Sequence, residues 1–216
     1  MLPFTHEQFL DVFARYNVAV WPMQVVAYVV AAAMVALLVR PGPLSGRLIG
    51  AGLAGMWLWT GIGYHWMFFA GINRAAWLFG ALFVAQGLLL VVATVIQDGL
   101  KFAPSNTPSS WLGGCFMAYA AVVYPVLGLA TGHAYPAMPM FGITPCPVTI
   151  FTFGLFLLAS SAISRWLLAI PLIWSLIGGS AAVLLNVPQD WFLLFSGIGI
   201  VPIVLRGRRR HALATA

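Results

Sequence analysis

The feature that most constrains this chain is a succession of apolar runs, each about as long as a bilayer is thick, separated by short segments that hold nearly all of the charge. An α-helix rises about 1.5 Å per residue, so crossing a hydrocarbon core of about 30 Å takes about 20 apolar residues. Seven runs are predicted as spans, at roughly 17 to 39, 48 to 69, 75 to 97, 111 to 131, 147 to 163, 166 to 185 and 190 to 205. The break at Ser164-Arg165 is tight, which leaves six spans as the alternative. Soluble domains carry about a quarter charged residues, whereas this chain is 6% charged and 62% hydrophobic over 216 residues. So few polar groups cannot cover the apolar surface, and lipid must. The expected fold is an all-α integral membrane protein, a bundle of seven transmembrane helices.

Basic residues resist translocation, so their distribution predicts orientation. With the amino terminus outside, the inner loops collect Arg40, Arg47, Lys101, Arg165, Arg206, Arg208, Arg209 and Arg210, against Arg15 and Arg74 outside, eight to two. The carboxyl terminus is therefore expected in the cytoplasm. The expected organisation is an amphipathic segment over 1–16, the bundle over 17–205 and a basic tail over 206–216. That tail is expected to attract anionic lipid at roughly 1 kcal/mol per basic residue near the surface. The basic residues form no nucleic-acid patch. The opening Met-Leu-Pro-Phe-Thr-His-Glu-Gln lacks a basic stretch and a cleavage site, so the first apolar run is expected to remain in the mature protein. Cys115 and Cys146 are expected near opposite faces, unbridged.

Thr5 with Gln8 reads as a capping box, and Phe9, Leu10, Phe13 and Tyr16 follow at helical spacing opposite Glu7, Asp11 and Arg15. This predicts a short amphipathic helix lying on the outer surface, its aromatic side among the headgroups; a plain extension of the first span is the alternative. Trp66, Trp77, Trp111, Trp166 and Trp191 fall at span ends, where interfacial tryptophans belong, while Trp57, Trp59 and Trp174 are expected to pack inside. Gly46 with Gly50, Ala51 with Gly55 and Ser175 with Gly179 are spaced to let helices approach closely. Pro22, Pro125, Pro171 and Pro202 lie inside spans and are expected to kink them.

Ionisable residues are scarce within the spans, which disfavours proton pumping through buried carboxylates. The single lysine, Lys101, is in an inner loop, so a retinal Schiff base in the last helix is excluded. His65, Gln24 and Gln86 are the notable polar groups within spans, and the remaining polarity gathers outside: Tyr64, Asn73, His133, Tyr135, Asn186, Gln189 and Asp190. A site is therefore expected to open outward, with Tyr64, Tyr135, Gln86 and Asp190 as ligand-binding candidates.

The most distinctive segment is the loop from His133 to Pro147, stiffened by prolines and so ordered in advance of any ligand. Cys146 opens the following helix between two prolines, where the helix dipole favours a thiolate. With His65 and His133 it forms a candidate set for a soft metal such as Cu(I), or for zinc, although no paired-cysteine motif is present. The competing reading is a membrane enzyme in which Cys146 is the nucleophile and His65 or His133 the base. In the third, Cys146 is a small packed residue and the chain is a structural or assembly factor. No catalytic residue or cofactor is assigned.

Tyr64-His65-Trp66, Val123-Tyr-Pro125, His133-Ala-Tyr-Pro136, Thr144-Pro-Cys-Pro-Val-Thr-Ile-Phe-Thr-Phe-Gly154 and the Ile-Gly-Gly-Ser-Ala-Ala run ending at Ala182 together resemble an uncharacterised bacterial family of multi-pass membrane proteins, a domain of unknown function. The likeness runs from the Phe-Ala-Arg-Tyr-Asn segment at 13 to 17 onward. It implies a protein of the bacterial inner membrane and transfers no activity. In layout the chain is also similar to small seven-helix sugar transporters of the three-plus-one-plus-three type, with Pro22 and Pro147 in the corresponding helices. The expected function is binding, with transport as an extension, of a small solute or soft metal ion through an outward-facing site.

Overall fold

The computed structural model describes residues 3–214, with side chains through Ile203. Arg206, Arg208, Arg209 and Arg210, with the lipid contact expected of them, lie outside the described side chains. The described residues are helical and contain no strand.

The first helix, α1 (His6–Ala19), begins at the expected capping box. Thr5 Oγ1 accepts from the Gln8 amide at 3.2 Å while Gln8 Oε1 accepts from the Thr5 amide at 2.9 Å. The chain then bends by 80° around Pro22 into α2 (Met23–Val39), so α1 is a separate helix and not a straight extension of α2. Its aromatic side faces protein instead of headgroups: Phe13 stacks on Tyr64 at 5.2 Å and Phe9 packs edge-on against Phe13 and Phe69. Burying those rings against partners of their own kind removes more apolar surface from water than an interfacial seat provides.

Three continuous helices widen into π-helical turns. The third helix, α3 (Ser45–Trp59), continues through Thr60–Trp66, and α4 (Ala76–Leu90) through Val91–Ile96. Next, α5 (Pro108–Ala118), capped by Thr107, continues through Tyr119–Val123 into α6 (Tyr124–Ala130). The chain ends with α7 (Pro145–Leu157), α8 (Arg165–Leu184) and α9 (Pro188–Ala214). Among the described residues three helices, Ala76–Ile96, Pro108–Ala130 and Arg165–Leu184, are long and apolar enough to cross a membrane; α1 with α2 makes a fourth when the bent pair counts as one crossing. Exposed Val29 and Val39 on α2, Leu78 on α4, Val122 in the π-helical turn and Leu184 on α8 give the bundle an apolar exterior suited to lipid.

The centre is α7, which packs against α3, α5, α8 and α9. Every residue of it is buried except the half-buried Cys146. A helix apolar all round belongs in such a position. Its 13 residues reach only about 20 Å, shorter than the expected 147 to 163 span. It stops because the next residues pair elsewhere: the Ala103 amide donates to the Leu158 carbonyl at 3.1 Å and the Ser160 amide to the Lys101 carbonyl at 2.9 Å.

The small-residue pattern divides. Gly46 lies under the Leu100 carbonyl, Gly50 against Thr94, Gly179 against Leu194 and Ser175 against Gly197, so these positions bring backbones close. Ala51 and Gly55 are exposed and a Cβ on Gly55 would meet nothing within 4 Å, so that pair makes no close contact.

At one end of the bundle Asp98 takes Lys101 Nζ at 2.6 Å and Arg47 Nε at 3.6 Å. The hydrogen bond from Lys101 and both cations hold its carboxyl below the usual range. At the opposite end lie α1, the 131–144 loop and the starts of α7 and α9.

Candidate functional site

The loop after α6 does not ride on the surface. Its second half turns inward, with Met138, Phe141, Ile143 and Thr144 buried among the helices. Non-helical backbone at such depth requires partners for its polar groups, and α1 supplies them. Asn17 Nδ2 donates to the Pro136 and Met138 carbonyls, both at 2.7 Å, and Tyr16 donates to the Ile143 carbonyl at 2.8 Å. Gln24 Nε2 locks this clamp from α2 by donating to the Asn17 carbonyl at 2.8 Å. Gly142 takes φ +75° where a Cβ would come within 2.6 Å of Ala27, so only glycine fits the turn.

Beneath the clamp is a cavity of about 220 Å³, with Phe13, Tyr64, Pro139, Cys146, Trp174 and Asp190 among its lining residues. Its wall is overwhelmingly apolar, with Asn73 and Ser180 among the few polar residues besides the group around Asp190. The Asp190 carboxyl, 3% exposed, receives a hydrogen bond from the Tyr124 hydroxyl and faces the Cys146 thiol. Trp174 Nε1 stands near that thiol, buried and without a hydrogen-bond partner. Next in sequence, Gln189 is fully buried with neither amide atom paired, while its carbonyl accepts from Tyr119 at 2.8 Å. Asp190 is positioned by the first turn of α9, where its own amide donates to the Val187 carbonyl at 3.0 Å.

Of the expected ligand-binding residues, Tyr64 and Asp190 line the cavity; Tyr135 and Gln86 do not. Tyr135 is exposed on the loop. Gln86 is buried in α4 and donates to the Leu167 carbonyl at 3.0 Å, tying α4 to α8.

The expected metal set does not converge. Among the described residues no group of three or more His, Cys, Asp or Glu side chains is placed to hold a metal. His65, on the π-helical turn, is enclosed by Tyr64, Phe69, Phe79, Phe83 and Trp174, and both ring nitrogens lack partners. His133 is on the loop, bonded to Thr131 Oγ1 at 3.1 Å with the His6 ring 5.9 Å away. Burial, with His6 beside it, holds the His133 imidazole below its ordinary pKa. Neither histidine hydrogen-bonds Cys146, so the nucleophile and base of the enzyme reading are not paired in this structure.

Sequence reasoning missed Tyr124, Trp174 and Asn17 as parts of this site. Tyr124 and Asn17 fall in the Val-Tyr-Pro and Phe-Ala-Arg-Tyr-Asn segments that carry the family resemblance, which was the one signal available for them.

A family model described as a family of unknown function (DUF6064) matches residues 6–215, a stretch that includes Tyr64, Cys146, Trp174 and Asp190 of the cavity lining. No curated protein and no solved structure matches the chain.

Proposed function

We propose, from the premise that the chain belongs to the DUF6064 family of unknown function, that it is a multi-pass protein of the bacterial inner membrane binding a small, largely apolar solute that carries one polar group. The solute occupies the cavity floored by Asp190 and Cys146. In this reading the chain crosses seven times, amino terminus outside and carboxyl terminus in the cytoplasm, and the cavity opens outward. The charge count supports the orientation, as does the gathering of Arg47 and Lys101 at the end away from the cavity.

One observation carries the binding reading: a carboxyl buried in an apolar wall, beside space for a ligand. A buried carboxyl is costly unless its partners or its use justify it. Asp190 accepts from Tyr124 and lines the cavity together with Cys146. The cavity volume of about 220 Å³ matches about seven waters at about 30 Å³ each, which suits a ligand of few heavy atoms. Apolar walls supply affinity and the polar floor supplies orientation. Transport requires a polar route onward, and Gln24 and Gln86, each donating to a backbone carbonyl, are outside the lining of this cavity; the reading is therefore of binding.

The test uses purified protein in nanodiscs and a panel of small amphipathic compounds, read by thermal unfolding. Compounds that bind raise the transition of the wild type and lose most of that effect in Asp190→Asn. If every stabilising compound acts equally on both proteins, the cavity is not the site. For orientation, Tyr135→Cys labels with an impermeant maleimide on intact spheroplasts and Ser105→Cys labels only after permeabilisation. The reverse pattern overturns the topology.

A further inference from the structure

We propose that the groove between α2 and the Pro108–Ala130 helix is a second site, which holds an acyl chain of one anionic phospholipid with its phosphate at Arg40 and the Ser105–Ser110 turn. The groove encloses about 970 Å³; Ala31, Val35 and Val39 line one side, Met117 and Ala121 the other, and Phe151 of the buried α7 forms part of the floor. It exists because small residues face each other across it. Ala32 on α2 and Gly114 and Ala118 opposite leave the space between the helices unfilled, while Tyr28 spans it by donating to the Ala121 carbonyl at 2.9 Å.

The polar groups of the groove are concentrated at one end. Ser105, Asn106 and Ser110 line it there. Asn106 Oδ1 accepts from the exposed Trp111 indole at 2.9 Å, which directs its amide donors away from that bond. On the facing helix Val39 lines the groove and Arg40 follows it at the end of α2. Among the described residues Arg40 has no ion-pair partner, whereas Arg47 and Lys101 share Asp98. Arg40, next to Val39 at the end of α2, stands at the same end of this apolar channel as the Asn106 amide and the Ser105 and Ser110 hydroxyls, which hydrogen-bond each other at 3.1 Å; that set of groups matches a phosphate above an acyl chain.

Charge also decides against a second copy of this chain as the occupant. The chain has four acidic residues. Glu7 and Asp11 are on α1 at the other end, Asp98 is already paired and Asp190 is buried. None is available to meet Arg40. This proposal rests on α2 and the Pro108–Ala130 helix lying in lipid and is independent of the solute cavity.

The test is native mass spectrometry and lipid analysis of protein purified in mild detergent and washed extensively. Wild type is expected to retain one phospholipid per chain, with anionic headgroups enriched over the surrounding membrane by roughly fivefold for one basic contact. Ala118→Phe fills the groove and is expected to lose the lipid. Arg40→Gln, a surface change that leaves packing intact, is expected to keep the lipid and lose the headgroup preference. Retention unchanged by Ala118→Phe, no retained lipid in the wild type, or a headgroup preference unchanged in Arg40→Gln overturns the proposal. A wild-type dimer that Ala118→Phe converts to monomer overturns it in favour of an interface between copies.

Discussion

The Tyr124 hydroxyl donates to Oδ1 of Asp190 across 66 residues of sequence, joining the start of α6 to the start of α9 where both side chains are buried. Tyr124→Phe removes the donor and nothing else, leaving the carboxyl one partner short. The expected loss is about 1–3 kcal/mol of stability, read from denaturant or thermal unfolding in detergent. Asp190→Asn in the Tyr124→Phe background is expected to cost less than in the wild type, because the partner has already gone. Equal costs in the two backgrounds mean that the two side chains act independently.

Trp57 Nε1 donates to Thr152 Oγ1 at 2.9 Å in the heart of the bundle, linking α3 to the central α7. Thr152→Val strands a fully buried indole N–H and is expected to destabilise by about 1–3 kcal/mol. Adding Trp57→Phe to that variant is expected to cost less than Trp57→Phe alone, and a double-mutant cycle measures the difference. A cycle that closes with no coupling excludes the bond.

A Cβ on Gly50 would stand 2.1 Å from Thr94 Oγ1, and the buried Thr94 is itself held by its bond to the Leu90 carbonyl at 2.7 Å. Gly50→Ala therefore pushes α3 off the π-helical turn that follows α4, with an expected loss of about 1–3 kcal/mol. Gly55→Ala is the contrast, since its Cβ meets nothing within 4 Å. There the gain in helix propensity, up to about 1 kcal/mol, is expected to leave the protein unchanged or more stable. Thermal unfolding of the two variants side by side checks the ordering.

His133 contributes a pH dependence with a defined sign. Its folded imidazole is held below the ordinary value by burial and by His6, whereas the unfolded chain takes up that proton near pH 6.5. As pH falls below about 6.5 the unfolded state binds more protons, so stability decreases until the folded imidazole also titrates. The stability profile of His133→Asn is expected to be flatter than wild type over that interval and unchanged above it. A wild-type profile that rises on acidification through this window contradicts the placement of His133 beside His6 and Thr131.

Much of the fold was legible in order along the chain. The capping box at Thr5 and Gln8, the interior Trp57 and Trp174 and the close approaches at Gly46, Gly50 and Gly179 all follow from patterns a few residues wide. The candidate site was legible only in part. Tyr64 and Asp190 were expected at a ligand and line the cavity, whereas Tyr135 points elsewhere and Gln86 is spent on a backbone carbonyl. Cys146, His65 and His133 had the right chemistry for a metal, but the structure gives each a different neighbourhood: a carboxyl, an aromatic cage and a loop hydroxyl.

What the sequence determined by itself was that the chain forms helices long and apolar enough to cross a membrane, because the free energy of moving a helix into lipid is a sum over about 20 consecutive residues and needs no knowledge of what lies beside them. What only the tertiary structure decided was which polar groups meet. Tyr124 and Asp190, or Asn17 and Met138, are brought together by the directions in which side chains leave helices far apart in sequence. Those directions are set by the 80° turn at Pro22, by the π-helical turns and by the inward path of the 131–144 loop. No local sum contains that information.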